Sequence, residues 1–389
     1  MNAIKPLPMT ALSREFVEFV HSDFGENVPL HAPTFGKQEV KSVVDAIEST
    51  FVSTVGEYVN AVENQIKELV KSNFVIATMN GTAALHLALR IVGVQRDCEV
   101  LTQPLSFVAT TNAIAYLGAA PVFVDIDEYT LGLNPIKLSS FLHEYGEVNN
   151  GRCFNKKTGK RIAACVPMHT FGFPVDIDAI CTICEEYCIP VVEDSAESLG
   201  SLYHDQHTGT FGKVGIFSFN GNKIVTAGAG GAIVTDDEEL ATQAKYLSTT
   251  AKQPHRWEYH HDEVGYNYRM SNLNAALLSA QLNRLETFLE IKRKRARKYA
   301  EFFSDTEINF VEERDATRAN YWLCTIVLPT KSDRDDFLEY TNNHNVMTRP
   351  AWTPLHQLPM YRHCMTGDLT CTENLAGRIV NIPSSGYDL

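Results

Sequence analysis

The sequence predicts an α/β fold in two parts, a large domain on a mostly parallel, mixed sheet between helices and a smaller C-terminal α+β domain. Two observations carry this reading. From residue 74 to about residue 252, short apolar runs alternate with amphipathic stretches of helical period, and strands alternating with helices imply parallel strands joined by helical crossovers. Beyond Lys252 the pattern changes to a long leucine-striped helix and a proline-bearing tail, which divides the chain at 1–252 and 253–389. A chain of 389 residues is long enough for two cores.

The elements follow in order. Residues 39–50 and 58–71 read as amphipathic helices, joined by Ser53-Thr54-Val55-Gly56, either a plain turn or a ligand-facing loop. An apolar strand at 74–78 leads through Asn80-Gly81-Thr82 into a helix that begins AALHLALRIVG. Strand 99–102, helix 110–117, strand 121–125 and helix 135–143 come next, and the polar stretch 145–161 reads as a surface excursion. Strand 162–167, helix 177–188 and strand 189–193 continue the alternation. In the C-terminal part, Leu278, Leu282, Leu285 and Leu289 stripe one helix running from near Asn272 to Phe303. Strand 321–328, helix 334–342 and Pro350, Pro354, Pro359 and Pro383 complete the chain, with no internal repeat.

Composition narrows the function. Acidic residues outnumber basic ones 47 to 34, a formal charge of −13, which argues against a nucleic-acid or anionic-membrane surface. The basic run Lys292-Arg293-Lys294-Arg295 with Arg297 and Lys298 follows Glu286 and Glu290 and reads as a solvated helix face. MNAIKPLPMT lacks the apolar core of a signal peptide, and no stretch approaches the roughly eighteen apolar residues of a membrane span, so a cytoplasmic protein is expected. Nine cysteines fit reduced thiols. Cys181, Cys184 and Cys188 share a helix face with Ile180, Ile183 and Tyr187 and lack a fourth nearby ligand, so buried thiols are expected and no metal site.

The residues that could do chemistry centre on FSFNGNKIVTAGAGGAIVT, 217–235, an amine on a turn between two apolar runs. Lys223 has two readings. It is a solvated surface charge, or its neighbours Phe217, Phe219, Ile224 and Val225 desolvate the ammonium and favour a neutral amine that attacks carbonyl carbon. Gly228, Gly230 and Gly231 would let backbone approach a bulky group. Asn80-Gly81-Thr82, between a strand and a helix, could hold a phosphate or simply cap the helix. Glu193-Asp194, at the end of an apolar strand, could hold a proton on a pyridine nitrogen or cap a helix. A phosphate-binding turn, a strand-end Asp and a strand-turn Lys together are what a pyridoxal phosphate enzyme requires. A nicotinamide oxidoreductase would need GxGxxG after a strand, whereas Gly228-Ala229-Gly230-Gly231 precedes one.

NGTAALHLAL at 80–89, SFVATTNAIAYLGAAPVFVDID at 106–127, HTFGFPVDID at 169–178, VVEDSAESLG at 191–200, SFNGNK at 218–223 and GYNYRMSNLNAAL at 265–277 resemble the DegT-type nucleotide-sugar aminotransferases. The resemblance runs from Val28 to Ser385 and implies the fold-type I architecture, pyridoxal 5′-phosphate as cofactor and a homodimer with shared active sites. By it, Lys223 forms a Schiff base with the cofactor and shuttles the proton between the donor Cα or sugar carbon and C4′. Asp194 pairs with the pyridinium nitrogen, Phe107 stacks on the ring, and Gly81, Thr82 and Ser218 cradle the phosphate. Asn267 reaches the same phosphate across the dimer interface. Glu197 stands near the phenolic oxygen where many relatives have Gln or His, and Ala229 stands where most have Glu or Gly, a departure expected to have little effect on the chemistry while leaving room for different packing near the lysine. The family's dehydratase branch carries His in place of the lysine, so Lys223 argues for transamination. PLHAPTFG at 29–36, EDSAESLGS at 193–201 and VMTRPAW at 346–352 are similar to the LegC group of legionaminic-acid biosynthesis. That likeness implies a UDP-linked, in some bacteria GDP-linked, 2-acetamido-2,6-dideoxy-4-hexulose as acceptor and L-glutamate as donor, with Ser53, Arg269, Arg349 and His356 on the substrate side. A 3-keto-sugar aminotransferase and a non-catalytic regulator of the same fold are the alternatives.

Overall fold

The computed structural model describes residues 9–386; residues 1–8, most of the stretch read above for a leader, and residues 387–389 lie outside the described residues. The order of elements follows the alternation of apolar runs. Strand Phe74–Thr78 pairs antiparallel with Gly231–Thr235, which pairs antiparallel with Val214–Ser218, which lies parallel to Val192–Asp194. Bridges from Cys165 to Val191 and from Met168 to Asp194 carry the sheet on to Arg161–Val166, parallel to Glu99–Thr102 and then Ala120–Phe123. Gly231–Thr235 is therefore the one reversed strand of this run, and its neighbours on both sides point their carboxyl ends the same way. All five of its residues are buried, as the continuous apolar run of a doubly covered strand requires.

Helices close both faces. Gly81–Ile91 is buried at nine of its residues and lies against Val214–Ser218, Gly231–Thr235 and helix Val108–Tyr116. The C-terminal sheet, in the order Asn309–Phe310, Cys324–Val327, Ile379–Ile382, Arg349–Pro350, is wholly antiparallel. Its core takes in Met9–Phe24, a helix not foreseen in the sequence, whose Phe16 stacks on Phe303 at 5.6 Å and touches Phe337 at 5.2 Å. No helix among the described residues is long and apolar enough to cross a membrane.

Several local expectations change. The excursion at 145–161 contains a hairpin, Gly146–Asn149 against Arg152–Asn155, that extends the sheet edge. Its turn is Asn150-Gly151, both at positive φ of 49° and 69°, the pair that suits a two-residue hairpin. The long leucine-striped helix is two helices, Asn272–Leu282 and Leu285–Phe303. At the break, Gln281 Nε2 and Arg284 Nη1 both donate to Glu39 Oε1, at 2.7 and 2.8 Å. The apolar stripe continues across it, with Leu278, Leu285 and Leu289 in one core, so spacing alone does not reveal the interruption.

The basic run is also more than a solvated face. Lys292 is fully buried and Arg295 nearly so. The Lys292 ammonium donates to the carbonyls of Trp322, at 3.1 Å, and Ser384, and burial brings its pKa down to about 7. Arg295 bonds the Ser385 carbonyl and lies over the Phe24 ring at 3.8 Å, while Lys294, Arg297 and Lys298 are exposed. Of the three clustered cysteines, Cys184 is buried, Cys181 half-buried and Cys188 exposed. The helix ends at Glu186 and Cys188 takes a φ of 56°, which turns it off the shared face.

Candidate active site

Three carboxyl ends of the mutually aligned strands meet at one cavity of about 280 Å³, the position where open α/β sheets place their ligands. Phe74–Thr78 delivers Asn80-Gly81-Thr82, Val192–Asp194 delivers Asp194, and Val214–Ser218 delivers Ser218. Residues 219–230 join two directly paired antiparallel strands and carry Lys223. Its sequence neighbours Phe217, Phe219, Ile224 and Val225 pack into the core, and the lysine side chain turns the other way, 12% exposed, into the cavity. Phe107, at the start of helix Val108–Tyr116, is 49% exposed at the cavity wall.

The anion end of the cavity is built from backbone. Asn80 caps helix Gly81–Ile91 by accepting from Ala83 N at 2.7 Å, which leaves the first-turn N–H groups of Gly81 and Thr82 without an intrahelical partner. Those donors and the helix dipole favour an anion. Glycine is required here: a Cβ on Gly81 would stand 2.7 Å from Ser218 Cβ, and one on Gly231 would stand 2.5 Å from the Asn80 carbonyl. Capping by Asn80 leaves these donors free, so capping the helix and holding an anion are compatible in one turn.

The carboxylates divide their labour by strand alternation. Glu193 faces away from the cavity and is satisfied by Gly209, Phe211 and Gly212 N at 2.6 to 2.8 Å and by His169 Nε2 at 3.0 Å. Asp194 faces the cavity, with Oδ2 accepting from Thr110 Oγ1 at 2.8 Å and Oδ1 from Ala196 N at 3.2 Å. Burial raises its pKa, against the pull of those hydrogen bonds and of Lys223. Glu197 accepts from Phe171 N at 2.9 Å and stands 3.4 Å from Lys223 Nζ. Burial pushes its carboxyl up to about 7, offset in part by the lysine. Phe171 holds a φ of 56° to aim that N–H, a conformation that costs energy outside glycine and clusters at functional sites.

The cavity thus brings together Lys223, Gly81, Thr82, Phe107, Asp194, Glu197 and Ser218. The other residues singled out in the sequence lie elsewhere. Ser53 is exposed and its carbonyl accepts from Asn272 N at 2.5 Å. Asn267 is exposed and bridged to Thr249, and Arg269 is bridged to Thr78 beside the Asn80 turn. Arg349 is exposed and donates to Asn342 Oδ1 at 2.9 Å. His356 packs edge-on against Phe123 at 6.3 Å, with burial lowering its pKa. Ala229 is exposed and is not among the residues that line the cavity. Sequence reasoning missed Thr110, Trp322 and Trp352, all of which line the cavity. Thr110 sits inside a quoted motif, three residues from Phe107, whereas the two tryptophans arrive from the far end of the chain without a local signal.

A model of the DegT/DnrJ/EryC1/StrS aminotransferase family matches residues 33–386. The chain belongs to this family. It is 35% identical over 366 residues to EpsN of Bacillus subtilis strain 168, which is named as a pyridoxal phosphate-dependent aminotransferase, covering 92% of this chain and 91% of that one. It is 32% identical over 357 residues to the GDP-perosamine synthase of Escherichia coli O157:H7, covering 92% and 93%. Among solved structures, the aminotransferase TlmJ from Streptoalloteichus hindustanus superposes with a TM-score of 0.83 at 28% identity, covering 92% and 93%.

A DegT-family aminotransferase works with pyridoxal phosphate, and the cavity's residues fit that group. The Gly81 cradle, closed to a Cβ by Ser218, suits the phosphate. The buried Asp194 carboxylate suits a ring nitrogen that carries a proton, the half-exposed Phe107 suits a ring face, and the Lys223 amine suits an aldehyde carbon.

Proposed function

We propose that the chain transfers the amino group of L-glutamate to C4 of a UDP-linked 2-acetamido-2,6-dideoxy-4-hexulose, giving the 4-amino sugar and 2-oxoglutarate. The observation that carries the reading is the convergence of the Lys223 amine, the Asp194 carboxylate and the Gly81–Ser218 anion cradle on one cavity. Lys223 stands within that cavity beside a buried carboxylate, so its solvated-surface reading loses its basis. The LegC-like segments support the UDP-linked acceptor and a place in nonulosonate biosynthesis. The likeness to GDP-perosamine synthases favours a second reading, a GDP-linked 4-keto-6-deoxy sugar. Incubation with glutamate and either 4-keto nucleotide sugar, with NMR of the product, tests both. Amination of the UDP sugar at C4 is expected; product from the GDP sugar alone would replace the first reading by the second, and no product from either would overturn both.

Bound pyridoxal phosphate supplies the electron sink for the carbanion at the donor's Cα. The protein does the rest. The N–H groups of Gly81 and Thr82 and the Ser218 hydroxyl would hold the phosphate, Phe107 would cover a ring face, and Asp194 would keep a proton on the ring nitrogen. Lys223 would take and return the proton at the donor Cα and at the sugar carbon. Trp322 and Trp352, from the C-terminal part of the chain, wall one side of the cavity. The same reading gives Asn267 a phosphate contact in a partner copy's site and puts Ser53, Arg269, Arg349 and His356 on the side of the sugar nucleotide. It also keeps domains at 1–252 and 253–389, with helices Met9–Phe24 and Asn272–Leu282 each packed across that division.

Glu197 gives a prediction that needs no substrate. Its folded pKa of about 7 lies above the ordinary value of 4.5, so the folded state holds a proton that the unfolded state has released, and stability falls as pH rises through that window. At about 1.4 kcal/mol per tenfold, the fall is on the order of 3 kcal/mol. Glu197→Gln is expected to flatten it. Denaturant titrations of the cofactor-free protein at pH 5 and pH 7.5 check this; an unchanged pH dependence in the variant would show that Glu197 ionises normally.

A further inference from the structure

Trp322 makes more contacts with the lysine turn than a cavity wall needs. Its indole ring lies under Lys223 Nζ at 4.0 Å from the centroid. Its Nε1–H donates to the carbonyl of Asn222 at 2.7 Å, one residue before the lysine. The main chain is fixed on both sides: Trp322 N donates to Asn320 Oδ1 at 2.7 Å, and Trp322 O accepts from the buried Lys292 at 3.1 Å. Asn320 in turn donates to the carbonyls of Glu197 and Leu199, both at 2.9 Å. A closed circuit results, from the Glu197 main chain through Asn320 to Trp322, across the ring to the lysine amine, and back over 3.4 Å to the Glu197 carboxylate. Space forces the same arrangement: Gly172, at φ +98°, would put a Cβ 1.9 Å from Asn320 Oδ1.

We propose that Trp322 is a positioning residue for Lys223, its ring face holding the amine in register with the cavity while its N–H anchors the turn that carries the amine. The idea rests on the proposed role of Lys223. An ammonium over an indole face is attracted by the ring quadrupole, and the ring also blocks the volume into which a four-carbon side chain would otherwise swing. The lysine must reach two different carbon atoms in the two half-reactions, so a fixed place between them shortens both reaches. Misplacing a proton-transfer group by about 1 Å can cost on the order of a hundredfold.

The test uses the full chain, cleared of cofactor, and three variants. Trp322→Phe keeps a ring and loses the N–H; Trp322→Leu loses both; Lys223→Ala is the control for the underlying reading. Pyridoxal phosphate is added, the adduct is trapped with borohydride, and its rate of formation is followed by intact mass. Trp322→Leu is expected to load about tenfold or more slowly and Trp322→Phe within about threefold of the parent. With α-deuterated glutamate, the primary isotope effect on the donor half-reaction is expected to rise in Trp322→Leu, because a poorly placed lysine makes proton transfer limiting. A variant that had merely lost folded protein would show the parent isotope effect. Parent loading rate and parent isotope effect in Trp322→Leu would overturn the proposal and leave the role of Lys223 standing, whereas a trapped adduct in Lys223→Ala at the parent rate would overturn that role itself.

Discussion

Lys223→Ala is expected to abolish transamination, lowering kcat at least about a thousandfold while leaving the fold intact. Two losses combine. Truncation removes the only lysine amine among the described residues that line the cavity, so none of them remains to join the aldehyde carbon, and it removes the base that transfers the proton in both half-reactions. General acid–base catalysis alone is worth about a hundred- to ten-thousandfold. The lysine contributes little to the core, since its side chain rests on Trp322 and Glu197 at the edge of solvent. Truncation also frees Glu197 from the cation that holds its pKa down, which lets that carboxyl protonate readily and avoids a stranded buried charge. Steady-state turnover with glutamate and the keto sugar, together with the near-visible absorbance after cofactor addition, is the measurement. More than a tenth of parent turnover would return Lys223 to the class of ordinary surface lysines.

Much of the fold was legible because the signal that makes a strand or helix here is local. Phe74–Thr78 and Glu99–Thr102 are apolar runs bounded by polar turns, and they fold with the bounds that the pattern implies. The failures come where a distant side chain decides. The break after Leu282 belongs to Glu39, some 240 residues earlier in the chain, and the burial of Lys292 belongs to carbonyls at Trp322 and Ser384. One miss was avoidable: Asn150-Gly151 is a local hairpin signal that the surrounding polar residues masked.

The cavity followed the same division. Asp194 and Ser218 end strands, Gly81 opens the helix just after one, and Lys223 lies on the connection between two; this is the edge where topology assigns ligand contacts, and all four reach the same space. Trp322 and Trp352 come from the C-terminal part of the chain, packed over the cavity by a tertiary arrangement that no window of sequence encodes. Composition could only say that there were three tryptophans to place.

Asp194→Asn separates function from stability, because the two are expected to move in opposite directions. The substitution keeps the side chain's shape, its oxygen still accepting from Ala196 N and its amide donating to Thr110 Oγ1, now 2.8 Å away, whose hydrogen can turn to Ser106 Oγ, but removes the negative charge that holds a proton on the ring nitrogen. Without that charge the cofactor is a poorer electron sink, and kcat is expected to fall by about a hundred- to ten-thousandfold, the range over which one well-placed electrostatic or proton-holding group acts. Stability takes the other sign. Burial raises the folded pKa of Asp194 above its ordinary 3.8, so in the cofactor-free protein the unfolded chain releases this proton more readily, and stability is lost as pH climbs from there through the raised value. Asparagine has no proton to lose, so the cofactor-free variant is expected to melt at or above the parent temperature at pH 7.5 and at the parent temperature well below pH 3.8, where both side chains are neutral. Melting curves at the two pH values, run beside turnover, distinguish this from simple damage. A variant that is both less active and less stable at pH 7.5 would mean that the Asp194 charge serves the fold; the expected pattern means that the fold carries the charge as a cost of the chemistry.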